Sequence, residues 1–157
     1  QRRGSDLICI DEVIIYGSNS DEIAKEIHQR YPNRQIIVYP DPAARQRKTS
    51  AGGRTDLSIL QNSGFMTKAK KAHPAIRDRI NAVNSRLKTG DGKRHLFFTE
   101  NCKQTIKSLE RQTYKEGTSQ PNKDDGYDHM NDALGYMVEY LFPVKTDYPV
   151  QQPTRWT

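Results

Sequence analysis

Gln35-Ile36-Ile37-Val38-Tyr39-Pro40-Asp41-Pro42 is the stretch that decides the expected fold. Its apolar residues, 36–39, are β-branched or aromatic, which is the pattern of a short strand buried on both faces. A proline ends such a strand because it has no N–H donor and restricts the residue before it. Asp41 is therefore expected at the carboxyl end of a central strand, the edge where open α/β sheets bind their ligands.

A second acidic segment, residues 124–132, opens the last long helix, which is expected to span 128–141. His129 and Asp132 are three positions apart, so both project from one side of the first helical turn. We interpret the chain as bringing Asp41 and Asp132 together over a metal ion. The alternative for a strand-terminal Asp is a turn or capping role, which is the more frequent one.

The composition describes one domain with a thin core and a heavily charged surface. The chain has 157 residues, of which 34% are hydrophobic and 28% are charged. No apolar run is as long as a membrane span, and no signal-peptide pattern opens the chain. Cys9 and Cys102 form no C-x-x-C pair, which argues against a zinc site and favours a reduced intracellular compartment.

Positive charge is concentrated in the middle of the chain. Residues 45–94 contain 13 Lys or Arg and 3 Asp, a local charge of +10, whereas the remainder has 12 basic and 16 acidic residues. A basic surface beside an acidic segment suits a polyanionic substrate whose cleavage needs metal ions. A solvated surface without a partner explains the same charges equally well.

The apolar patterns predict an alternation of strands and helices. The expected order is a strand over 7–16, a helix over 20–30, a strand over 35–39, a helix over 74–88, a strand over 95–99, a helix over 101–114 and the helix over 128–141. Helical crossovers predict that the strands at 35–39 and 95–99 are parallel within one sheet. The strand at 7–16 is expected to be antiparallel to an upstream partner, with Asp11 and Glu12 at exposed positions.

Local signals mark the helix starts and one long connection. Asn19 and Glu22 resemble a capping box, and Asn101 and Asp128 are interpreted as caps. Residues 43–71 read as a long irregular basic loop, which in a compact domain is usually functional or disordered. They lack the G-x-x-x-x-G-K-[ST] spacing, and no ATPase motor motif occurs elsewhere in the sequence.

Four segments, in a consistent order, resemble the nuclease domain of tailed-phage large terminases. They are Val38-Tyr39-Pro40-Asp41-Pro42-Ala43, Thr49-Ser50-Ala51-Gly52-Gly53-Arg54-Thr55-Asp56, Tyr114-Lys115-Glu116-Gly117 and Asp128-His129-Met130-Asn131-Asp132-Ala133-Leu134-Gly135-Tyr136. The resemblance implies an α/β, ribonuclease H-like fold, a mixed β-sheet flanked by helices. This domain is expected over 1–145, followed by a polar C-terminal tail over 146–157. The family's opening strands, which carry its first acid, are expected before Gln1.

The resemblance also implies a catalytic site. Three carboxylates hold two divalent ions, Mg²⁺ or Mn²⁺, in a nuclease that cuts concatemeric viral DNA during packaging. Asp41 matches the acid of the central strand, and Asp132 matches the acid of the last helix. His129 matches a histidine placed three before that acid in some members, and it could bind an ion, orient water or transfer a proton. A divalent ion relieves the repulsion between neighbouring carboxylates, and two ions can activate water and stabilise the leaving oxygen.

The expected partners are double-stranded DNA, an ATPase domain upstream in the same protein, the small terminase subunit and the portal. The expected location is the cytoplasm of the bacterial host, and no membrane association is expected. Basic side chains would bind the phosphates without reading bases. The residues expected to do so are Arg45, Arg47, Lys48, Arg54, Lys68, Lys70, Lys71, Lys93 and Arg94.

Two alternatives stay open at this point. One is another ribonuclease H-like nuclease, such as a resolvase or transposase core. The other is a non-catalytic DNA-binding or docking module that keeps the fold.

Overall fold

The computed structural model describes residues 1–47 and 53–144. Lys48 and the predicted tail at 146–157 lie outside the described residues. The described part of the chain forms short strands and longer helices, and none of these helices is long and apolar enough to span a membrane.

A mixed three-stranded sheet contains the first two strands. Strand β1 (Arg2–Arg3) is antiparallel to β2 (Asp6–Cys9), and β2 is parallel to β5 (Leu96–Phe98). The predicted antiparallel partner of the first long strand is thus confirmed. This partner, β1, lies within the chain.

The prediction that the strands at 35–39 and 95–99 share one sheet is wrong. Strand β3 (Ile37–Val38) pairs in parallel with β4 (Met66–Thr67) in a separate two-stranded sheet. β3 is also not buried on both faces, because Ile37 is 38% exposed. The residues on either side of Ile37, Ile36 and Val38, pack against the apolar cluster of Ala24, Leu60 and Phe65. This alternation is typical of a half-buried strand.

The partner of β3 comes from the stretch that was predicted to be irregular, and that prediction is wrong as well. A 3₁₀ turn (Pro42–Arg45) is followed by helix α2 (Asp56–Asn62) and then by β4. Thr55 accepts from the Ser58 N–H, and the Ser58 hydroxyl accepts from the Thr55 N–H, which forms a capping box. Helix α2 is followed directly by β4, and β4 pairs with β3 in the smaller sheet.

The strand predicted over 7–16 ends early, at Cys9. Asp11 and Glu12 are not exposed pleat residues but half-buried tethers. The Asp11 carboxylate accepts from the Tyr31 hydroxyl at 2.8 Å and from Arg30, the last residue of helix α1 (Ser20–Arg30). These two hydrogen bonds hold the pKa of Asp11 below its usual value. Glu12 accepts from backbone N–H groups that open helix α4 (Lys103–Arg111). After Cys9, side-chain hydrogen bonds of Asp11 and Glu12 to the helices hold the chain, instead of backbone hydrogen bonds to a neighbouring strand.

The helices agree well with the sequence, and their caps agree less well. The predicted limits of α1 and α5 (Asp128–Leu141) are confirmed, and α3 (Ile76–Leu87) lies within its predicted range. The capping box of Asn19 and Glu22 is present. Asn101 and Asp128 are not caps, because Cys102 and Tyr127 occupy the N-cap positions without a side-chain hydrogen bond.

Two apolar clusters stabilise this arrangement. Helices α3 and α5 pack on the three-stranded sheet, and α1 and α2 enclose the smaller cluster beside β3. The buried members of the larger cluster are Leu7, Ala82, Val83, Leu96, Leu134 and Val138, and those of the smaller one are Ala24, Leu60 and Phe65.

Gly135 marks the close approach of α5 to α3. A Cβ atom at this position would lie 3.5 Å from the Arg79 Cβ, an ordinary contact distance. Because a helical glycine costs about 0.5–1 kcal/mol relative to alanine, we expect Gly135→Ala to raise the free energy of unfolding by up to about 1 kcal/mol. Gly135→Ile should lower it, since a branched side chain has no room against α3. Urea denaturation tests both variants, and a destabilised alanine variant would contradict the prediction.

Candidate functional site

Asp41 follows β3 and begins the 3₁₀ turn. Its Oδ1 accepts from the Ala43 N–H at 2.8 Å, so the capping role weighed from the sequence is present. The Tyr39 ring packs against the Tyr140 ring of α5, with centroids 5.3 Å apart. The carboxylate is therefore brought to α5 while it remains 45% exposed.

Asp132 lies in α5 and is held by a buried arginine. The Arg79 Nη1 of α3 donates to the Asp132 Oδ1 at 2.7 Å, and the Arg79 side chain is only 8% exposed. The Asp132 side chain is 36% exposed. An arginine in this position neutralises Asp132 from the protein side and leaves part of the carboxylate open to solvent.

Tyr136 connects the two predicted acids. It lies one helical turn after Asp132, and the Arg79 guanidinium is 4.3 Å from its ring centroid. Burial raises the pKa of Tyr136 to about 12, and a hydrogen bond to the Asp41 carboxylate adds to the rise. The positive charge of Arg79 opposes this rise, and the negative charges of Asp41 and Asp132 add to it. Tyr136 consequently stays protonated at neutral pH and can donate to Asp41.

The two histidines near this cluster have different positions. His73 Nδ1 is 3.3 Å from the Asp41 Oδ1, and its ring lies edge-on to Tyr136 with centroids 6.5 Å apart. His129, which the sequence placed in the site, is exposed. Within residues 1–47 and 53–144 it makes no hydrogen bond, ion pair or ring contact. Of these two histidines, His73 is therefore the one that lies next to a predicted site acid.

Several of the predicted DNA-binding residues are already engaged. The Lys70 Nζ pairs with Glu139, a buried carboxylate of α5. The others in this group are Arg45, whose Nη2 donates to the Ala69 carbonyl at 3.0 Å, Arg54, whose Nη2 lies 3.8 Å from an Asp21 oxygen, and Lys93, whose Nζ lies 2.7 Å from an Asp91 oxygen.

The remaining predicted members are available to a ligand. Arg47, Lys68, Lys71 and Arg94 are exposed, and none forms a side-chain hydrogen bond or ion pair with another described residue. The segment that carries Lys68 and Lys71 runs from β4 towards Asp41, because its backbone pairs with Val38. Lys68 also lines a small depression together with Pro40 and Pro42, the two residues that flank Asp41.

The carboxylates suit a divalent ion in ligand type, since oxygen ligands are those that Mg²⁺ and Mn²⁺ prefer. In the part of the chain that the structure describes, however, no three His, Cys, Asp or Glu side chains come together in a way that could hold a metal ion. The shared metal site of Asp41 and Asp132, with His129 in support, therefore stays a prediction.

Comparison with known families decides which group the chain belongs to. The family described as the terminase RNaseH-like domain matches residues 16–141, which is most of the 157-residue chain. The chain belongs to this family. No curated protein and no solved structure gives a significant match.

Membership of the terminase RNaseH-like family confirms the resemblance and the fold class derived from the sequence. It indicates a nuclease domain of a terminase, and nuclease domains of the ribonuclease H-like type usually use divalent metals. The matched range includes Asp41, Tyr136, Arg79 and Asp132, so the cluster around Tyr136 lies inside the family's own domain.

Sequence reasoning missed three residues of this terminase-domain cluster: His73, Arg79 and Tyr136. The signal for Tyr136 was its spacing of four from Asp132, which places both on one helix face. The signal for Arg79 was a basic residue next to the apolar positions of α3, where a charge is costly unless it is paired. No local signal indicated His73, whose contact with Asp41 depends on the path of the chain between β4 and α3.

Proposed function

We propose that this chain is the metal-dependent endonuclease domain of a phage DNA-packaging terminase, which cuts concatemeric viral DNA in the cytoplasm of the bacterial host. The observation that supports this most directly is the set of contacts around Tyr136. His73 contacts both Asp41 and the Tyr136 ring, and Arg79 contacts both Asp132 and that ring. Two acids from distant parts of the chain are thus linked to one tyrosine, in a family of nuclease-type domains.

Asp41 and Asp132 would hold divalent cations, Mg²⁺ or Mn²⁺, with the first acid of the family pattern as a further ligand. When bound, two such ions supply an activated water and stabilise the leaving oxygen. The protein's own groups keep the acids in place. The Tyr136 hydroxyl interacts with the Asp41 carboxylate, and Arg79 fixes the orientation of Asp132. His129, exposed one turn before Asp132, is free to carry a proton to or from the solvent.

Duplex DNA would approach along the basic segment beside Asp41. Lys68 and Lys71 are exposed there and can bind phosphates without reading the base sequence. The upstream ATPase domain, the small terminase subunit and the portal are the partners proposed for the full-length protein.

The test is nicking of supercoiled plasmid by the full-length protein with Mg²⁺ or Mn²⁺, and with EDTA as the metal-free control. We expect cleavage that requires the metal and is lost with EDTA. DNA binding without metal-dependent cleavage would instead favour the non-catalytic module, for which the neutralisation of Asp132 by Arg79 is the supporting observation.

Removing basic residues should weaken DNA binding irrespective of sequence. We expect the triple variant Arg45→Ala, Arg47→Ala, Lys48→Ala to reduce affinity equally for unrelated duplexes. It should flatten the dependence of log K on log salt by roughly 3 units at most, one for each lost phosphate contact. Fluorescence anisotropy at several salt concentrations measures both.

A matched control removes the same charge from two helices away from this segment: Lys25→Ala, Lys103→Ala, Arg111→Ala. These residues are exposed on α1 and α4. An equal loss of affinity in both triple variants would mean that only the net charge matters and that residues 45–48 are not a binding surface.

A further inference from the structure

A cavity of about 250 Å³ lies between α3, α4 and α5. Its walls are mainly apolar and include Ile80 and Val83 of α3 and Leu109 of α4. Asp132 and Arg79 also line it, so it adjoins the proposed catalytic site. The volume is far larger than one water needs and below the roughly 300–1,000 Å³ of pockets for drug-sized ligands. It suits a single small group.

Buried polar atoms at this cavity lack partners. Asp128 and Asn131 both line it from α5, and each has a buried Oδ1 without a hydrogen bond. The Asp128 side chain is only 7% exposed, and its one described charge partner, the Lys123 Nζ, is 3.7 Å from the other oxygen. The Arg79 Nε is buried without an acceptor. Unsatisfied groups of this kind cost about 1–3 kcal/mol each, so a ligand that satisfies them gains that energy.

The pattern of these groups indicates which ligand would bind. Two acceptor oxygens require a ligand with two donors, and the Arg79 Nε requires an acceptor beside them. An inorganic cation or an ammonium group would leave the Arg79 donor unmatched and would gain little from the apolar walls. A nucleobase has flat apolar faces and an edge that combines donors and acceptors. Guanine presents N1–H and N2–H donors next to its O6 acceptor, which matches the set of groups at the cavity.

We propose that this cavity binds an unpaired guanine base of the DNA substrate, at a position next to the phosphate that is cut. The proposal rests on the proposed nuclease function for its biological meaning. The base would be recognised by Asp128 and Asn131 through its donors and by Arg79 through its O6, between the apolar side chains of α3 and α4. Guanine binding would give the site a base preference that phosphate contacts do not supply.

Nucleoside binding without metal tests the proposal separately from cleavage. The full-length protein is titrated with guanosine, adenosine, cytidine and thymidine by calorimetry in the presence of EDTA. We expect guanosine to bind at least about 10-fold more tightly than thymidine, because a good base-edge pair contributes roughly 1–3 kcal/mol of discrimination. Asp128→Asn should reduce guanosine affinity by about 10-fold or more, whereas Asp125→Asn, an exposed residue of the preceding loop, should leave it unchanged.

A second variant, Ile80→Trp, fills the cavity and should abolish guanosine binding while Asp128 remains intact. Thermal unfolding verifies that both variants are folded. Equal affinity for all four nucleosides, or an unchanged affinity in Asp128→Asn, would overturn the proposal. Tighter binding of methylguanidinium than of guanosine would also overturn it, and would indicate a cationic side chain of a protein partner. A protein that cleaves DNA but binds no guanosine would refute only the base site, and one that binds guanosine but does not cleave would refute only the nuclease.

Discussion

Asp132→Asn is expected to reduce metal-dependent plasmid cleavage by roughly 100-fold or more, and Asp41→Asn should do the same. Each substitution keeps the size of the side chain and removes the negative charge that a divalent ion needs. DNA affinity in the absence of metal should be unchanged or higher, because a charge that repels phosphate is lost. Cleavage is measured by plasmid nicking, and binding by anisotropy with the same duplex.

Two further variants make this result specific. His129→Ala should reduce cleavage less than the two Asp variants, because His129 is exposed and is assigned a supporting role. Asp91→Asn, at an exposed turn where Asp91 pairs with Lys93, should leave cleavage unchanged. If Asp41→Asn or Asp132→Asn cuts DNA at the rate of the Asp91 variant, the two acids do not form the metal site.

Arg79→Ala is expected to lower the free energy of unfolding by about 2–4 kcal/mol. The substitution removes the partner of Asp132, the cation under the Tyr136 ring and a buried stem that contacts Gly135. Breaking a buried ion pair from one side typically costs 3–5 kcal/mol. The lower end of our range allows for solvent screening of Asp132, which is 36% exposed. Chemical denaturation measures the change.

Arg79→Met separates packing from charge, because it keeps most of the buried stem and removes the guanidinium. We expect a smaller loss than with alanine. In the Asp132→Asn background, Arg79→Ala should lower the free energy of unfolding by less, since the charge of Asp132 is then absent. The difference between the two losses is the interaction energy of the Arg79–Asp132 pair in a double-mutant cycle. A loss below about 1 kcal/mol for Arg79→Ala would show that the buried arginine does not stabilise this contact between α3 and α5.

The helices show how much of the fold is predictable from local sequence. α1 begins after the capping box of Asn19 and Glu22 and ends at Arg30, as its pattern predicted. α5 has its predicted limits because its apolar residues recur at helical spacing. In both cases the decisive interactions join residues within four positions of one another. Helix α2 was missed although Thr55 and Ser58 form a capping box, because a helix of seven residues provides too few periodic positions.

The strands show where local sequence is insufficient. A strand was correctly predicted within 35–39, although it comprises only Ile37–Val38, but β3 pairs with β4 and not with the sheet of β5. Strand pairing depends on which distant backbone groups come within reach, and a strand of two residues carries almost no information about that choice. The early end of β2 has the same origin, because Asp11 and Glu12 bind helices instead of continuing the ladder.

The sequence by itself determined the family resemblance, the alternation of helices and strands, and the candidate acids Asp41 and Asp132. These follow from residue types at short spacings. Only the tertiary structure decided what surrounds those acids: Arg79, 53 positions before Asp132, pairs with it, and His73 lies next to Asp41. The physical reason is that a buried charge or hydroxyl takes whichever partner the packing of α3, α5 and the 3₁₀ turn brings within hydrogen-bonding distance, and that packing is a property of the whole chain.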